Sequence, residues 1–175
     1  FTIDGVDDTR GVVCIGDVDE VELGGERFLD FCRRCADEGK LPQKLAAVRL
    51  HPTTHAGQRQ VNTTQVNGVD STRVDHLFRA EVELRQQIGL LVDFFRTNLP
   101  GYEQCRCISS GTTVGVRESR RVMGDYVITA EELAAGKRFD DAVVHRAEFI
   151  VDIHNPAGAG QAEERIQYCE PYDLP

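Results

Sequence analysis

Between Val74 and Phe95 apolar side chains recur three or four residues apart. Val74, Leu77, Phe78, Val82, Leu84, Ile88, Leu91, Val92 and Phe95 mark one broad face, and Arg79, Glu83, Arg85 and Gln86 fill the other side. The helical period gathers such positions on one side of a cylinder, so the spacing predicts a helix over 71–98. Asn67-Gly68-Val69-Asp70 is a turn leading into it, Asp70 or Ser71 can cap it, and Leu99-Pro100-Gly101 stops it. Phe28, Phe31, Cys32 and Cys35 repeat the period in a second helix over 28–38, with Gly39 as its stop. Thr129-Ala130-Glu131-Glu132 is a capping box opening a short helix that ends at Gly136.

Strand character falls elsewhere. Residues 11–16, 45–50, 59–66, 105–110, 112–129 and 147–153 read as strands from their apolar runs or period-two alternation, and 166–169 as a short edge strand. Strands surround one long helix without regular alternation. The predicted class is therefore α+β: a mixed or mostly antiparallel sheet packed on the 71–98 helix, in a single domain spanning 1–175.

Composition bounds the function. The chain has 175 residues, 41% apolar and 28% charged, which is ordinary for a globular protein able to bury a core. A net charge of −9 argues against nucleic acid and anionic membrane surfaces as partners. No apolar run approaches the roughly 20 residues needed to span a bilayer. Arginine outnumbers lysine 17 to 3, which favours fixed ion pairs. The first residue is Phe1 and the only methionine is Met123, so the chain is expected to be a piece of a longer protein. Such a piece can expose an apolar face and pair with a second copy. Six cysteines in a chain this long do not demand a disulfide scaffold; reduced thiols and a cytoplasmic location are the reading, with a cleaved signal peptide as the alternative.

The densest chemistry lies in GVRESRRVMGDYVIT, residues 115–129. Arg117, Arg120 and Arg121 sit with Glu118 and Asp125 between apolar neighbours. Either the arginines clamp an anionic substrate, or they form a structural ion-pair network; both predict that Arg117 or Arg121 is buried and paired. Downstream, DIHNP puts Asp152, His154 and Asn155 at a strand end. There a histidine can act as general base and an amide can contact substrate, or the group simply sets a turn. Cys32 with Cys35, Cys105 with Cys107, and His51 and His55 of HPTTH are conceivable zinc ligands, but buried thiols are the commoner explanation. The acidic run 17–20 lacks the continuation of an EF-hand and reads as a solvated turn.

VNTTQVNGVDST (61–72), AEVELRQQ (80–87), LPGYE (99–103), GVRESRRVMGDYVIT (115–129), FDDAV (139–143) and DIHNP (152–156) occur in that order. This series resembles a family of FAD-dependent oxidoreductases in the glutathione-reductase-like flavoprotein superfamily, chiefly over 59–175. The resemblance implies FAD in the intact enzyme and a bound small-molecule substrate. Under it, Arg117, Arg120, Arg121 and Asn155 contact substrate and His154 moves a proton. It also implies a G-x-G-x-x-G loop near the N-terminus, and no such sequence occurs here. The expectation is thus the substrate-binding portion of the enzyme, holding no FAD by itself and partnered by the FAD-binding remainder of its own polypeptide. The alternative is a non-catalytic binding module, metal-stapled through its cysteines.

Overall fold

The computed structural model describes residues 1–16, 21–117, 119–120, 122–148, 155, 158 and 170–175. They form helices and antiparallel sheets, an α+β fold. Contacts divide the chain into two compact units, Phe1–Ser119 with Pro156–Gly160, and Arg120–Asn155 with Gln161–Pro175.

The larger unit is built on a four-stranded antiparallel sheet. Its strands are β1 (Thr2–Asp4), β4 (Leu50–Pro52), β5 (Arg59–Val61) and β6 (Arg106–Ser109), in the order β4-β5-β1-β6. A hairpin of β2 (Glu22–Leu23) and β3 (Glu26–Arg27) leads directly into helix α1 (Phe28–Asp37). Phe28, Leu29, Cys32, Cys35 and Ala36 form the buried face of α1. The helix ends in a Schellman motif: Lys40 N–H donates to the Cys35 carbonyl and Gly39 N–H to the Ala36 carbonyl. Gly39 takes φ 76° there, a left-handed conformation that glycine adopts without a Cβ penalty.

Helix α2 (Val74–Asn98) starts later than its capping residues suggest. Asp70 does not cap it. Instead Asp70 Oδ1 accepts from the Thr72 N–H and hydroxyl, folding 70–73 into a turn, and Arg73 occupies the N-cap position without a side-chain cap. The C-terminal half of α2 is embedded: Leu91, Val92, Phe94 and Phe95 join Ile3, Leu45, Val48, Leu50, Val61, Leu99 and Tyr102 in the core. The N-terminal half is covered only in part: Ala80 is buried and Leu77 and Leu84 are half-buried. Val74 is 81% and Phe78 68% exposed, so the apolar face read from the sequence is buried along only part of its length.

Several predicted strands are shorter or missing. Residues 11–16 contribute one isolated bridge, Cys14 to Leu50. Residues 43–45 form a 3-10 turn before β4 begins at Leu50. The segment 112–128 contains no described strand; nearly every described residue in it is exposed, so its threonines and valines have no neighbour to pair with. The predicted strand at 166–169 lies outside the described residues.

The smaller unit holds helix α3 (Ala130–Ala134) and an antiparallel pair, β7 (Val144–Ala147) with β8 (Tyr172–Leu174). The capping box forms as read: Thr129 Oγ1 accepts from Glu132 N–H, and the Glu132 carboxylate accepts from Thr129 N–H. Gly136 ends the turn at φ 63°. Tyr126 and Phe139 meet edge to face at 5.3 Å, and Lys137 lies 5.0 and 4.9 Å from their ring centres while pairing with Glu132.

Candidate functional site

The arginine motif emerges into solvent. Arg117 is exposed at the end of the larger unit, and Arg120 is exposed at the start of the smaller one. The expected burial therefore does not occur at Arg117, because no strand forms there to carry it inward. Asp125, one of the two expected carboxylate partners, is exposed as well. Arg121 and Glu118 lie outside the described residues, as do Asp152 and His154. Asn155 is described and half-buried. The division between units falls within the motif itself, between Ser119 and Arg120.

A buried arginine does exist, at a place the sequence reading passed over. Arg59 on β5 has a side chain only 5% exposed and pairs with Asp8 at 2.8 Å. Its Nη1 also donates to the Gln58 carbonyl, while its Nε finds no hydrogen-bond partner. Asp8 in turn accepts from Gly57 N–H at 2.6 Å, and these bonds hold its carboxyl below the usual range. The signal was a charged residue two positions before Val61, which a strand places on the same inward face.

The cysteines behave as core. Cys14, Cys32, Cys35 and Cys105 are buried, Cys107 is exposed, and all five are free thiols. Burial, then the neighbouring Cys35 and Cys14, drives the Cys32 thiol well above its ordinary value. Burial raises Cys105 to about 11. Protonated thiols in an apolar core are poor metal ligands. His51 is half-buried on β4 and His55 exposed in the following turn. Among the described residues, no group of three histidines, cysteines or carboxylates is placed to hold a metal.

One concave surface stands out on the larger unit. A cleft of about 620 Å³ runs beside α2, lined by Pro42, Phe78, Val82 and Leu90 with Lys44 and Glu83 paired at its edge. It continues the exposed apolar stretch of the helix. Nearby, Gln87 is buried with both ends of its amide engaged: Oε1 accepts from Gln65 N–H and Nε2 donates to the Gln65 carbonyl.

The model of the FAD dependent oxidoreductase family matches residues 1–175. The chain belongs to that family. The match extends upstream of residue 59, across the part where the motif resemblance was weaker. No curated protein and no solved structure matches the chain.

Family membership implies FAD in the intact enzyme. The residues described do not fit it. A dinucleotide cradle presents glycine backbone at the turn from a parallel strand into a helix. Here Gly24 and Gly25 turn the β2–β3 hairpin ahead of the helix, and Phe28 N–H at the start of α1 is taken by the Val21 carbonyl. The sheets described are antiparallel. None of the described residues is therefore assigned to the cofactor. No described helix is long and apolar enough to cross a membrane.

Proposed function

We propose that this chain is the substrate-binding portion of an FAD-dependent oxidoreductase, one that in its intact form exchanges hydride between flavin and a small molecule. Arg117, Arg120 and Arg121, with Asn155, contact the substrate, and His154 handles its proton. The observation that carries the reading is the exposure of Arg117 and Arg120 on a segment outside regular structure, in a chain belonging to a redox family. Both guanidinium groups lie on the surface, and a planar guanidinium fork is matched to a ligand carboxylate.

The partner in this reading is the FAD-binding remainder of the same polypeptide. The exposed apolar run of α2, with Phe78, Val82 and Leu90 beside the cleft, supports such a contact surface. A homodimer through that face is the competing arrangement. The alternative of a metal-stapled binding module has less support, since among the described residues no three histidines, cysteines or carboxylates are placed to hold a metal.

The test is kinetic. In an intact enzyme containing this segment, Arg117→Lys and Arg120→Lys should each raise KM about tenfold, because lysine does not reproduce a bidentate fork. Unchanged kinetics in a correctly folded variant would remove that residue from the site.

A further inference from the structure

The β7–β8 pair of the smaller unit contains an irregularity with chemical content. Val144 lies opposite Leu174 and Ala147 opposite Tyr172, so His145 and Arg146 together oppose the single residue Asp173. This is a β-bulge, a device that re-aims side chains and recurs beside functional sites. Arg146 pays for it with φ 53°, the one non-glycine positive φ among the described residues. Glycine would take that conformation without the Cβ penalty.

Asp173 holds the bulge. Its side chain is 6% exposed. Oδ1 accepts from Arg146 N–H and from Arg138 Nη1, both at 2.8 Å, and Oδ2 accepts from Phe139 N–H at 3.3 Å. His145 Nδ1 stands 3.6 Å from Oδ2. These donors hold the carboxyl far below its ordinary value, the Arg146 N–H most strongly and the Arg138 guanidinium next. The carboxylate is occupied mainly by backbone and by Arg138. The Arg146 guanidinium is left exposed and makes no ion pair among the described residues. The imidazole beside it is 66% exposed.

We propose that this bulge is a binding site for a small carboxylate. The Arg146 fork takes the ligand's two oxygens, His145 and Arg138 flank it, and Asp173 is the positioning residue that fixes the bulge. The use of arginine where glycine would cost less is the core of the argument: strain retained at a position is accounted for when the side chain it presents is used. Arg138 is paired with Asp173, which leaves Arg146 as the guanidinium of the bulge that no described carboxylate pairs, and planar guanidinium is matched to a carboxylate. The site uses no flavin, and its failure would leave the assignment of Arg117 and Arg120 standing.

The test uses the whole 175-residue chain and sodium glycolate as probe, with sodium chloride at matched ionic strength and sodium phosphate as controls. The reporter is the His145 ring resonance, assigned by its disappearance in His145→Gln. The proposal expects a saturable shift with glycolate that is absent with chloride and weaker with phosphate. Arg146→Gly should lower the affinity by about tenfold or more, as loss of a bidentate contact does, while melting at the same or a higher temperature. Arg146→Asn, which also tolerates a left-handed backbone, should behave likewise. The proposal is overturned by any of three results: no saturable shift, equal or tighter binding of phosphate, or glycolate affinity unchanged in both variants. A large loss of melting temperature in both variants would also overturn it, since Arg146 would then serve the fold.

Discussion

Tyr102 puts a hydroxyl into the centre of the larger unit, where it is fully buried and donates to the Val12 carbonyl. Tyr102→Phe removes that donor and leaves the carbonyl unsatisfied, so we expect a loss of about 1–2 kcal/mol in chemical denaturation. Burial pushes the Tyr102 phenol up to about 12 and the Cys105 thiol to about 11. Both are raised from their ordinary values of 10.0 and 9.0. The sign follows: the unfolded chain releases these protons first, so stability is full below about pH 9 and falls as pH rises toward 12. A melting temperature flat across that window would contradict the burial of these groups. Thiol reactivity reads the same core. Among the five described cysteines, only exposed Cys107 should react quickly with a thiol reagent in the native state, and in a Cys169→Ser background Cys107→Ser should remove that phase.

Helix α2 shows how far element-level patterning reaches. Its period predicted a helix, and the helix forms, but period alone does not say how much of a face is covered. Leu91 is fully buried, whereas Phe78 is 68% exposed although both belong to the apolar pattern. Leu91→Ala should cost about 3 kcal/mol through the lost burial and the cavity it leaves, while Phe78→Ser should fall within about 0.5 kcal/mol of the parent. Equal losses would mean that Phe78 is packed. The capping box was legible because its bonds are local in sequence; Thr129→Ala should destabilise the smaller unit by about 1 kcal/mol. The strand expected at 112–129 does not form among the described residues, for the opposite reason. A strand needs a pairing partner, and valines and threonines between Gly111, Gly115 and Gly124 do not supply one. The Asp173 bulge was illegible for a related reason: it depends on register between segments more than twenty residues apart.

At the scale of the molecule, the α+β class and the family were legible in the sequence, and the exposure of Arg117 and Arg120 was not. Ordered motifs carry family because their spacing is sequence information. Burial of Arg117 depends on which chains cover it, and nothing within the motif specifies that. We propose that these residues serve the substrate side of a flavin enzyme and do not themselves hold the cofactor. The net charge of −9 opposes a diphosphate unless local cations compensate, and the described helix and strand junctions build no glycine cradle. The most direct measurement is a titration of the purified chain with FAD, followed by flavin fluorescence and the visible spectrum. No saturable change is expected at micromolar concentration; stoichiometric binding of FAD would mean that the cofactor site lies within these residues.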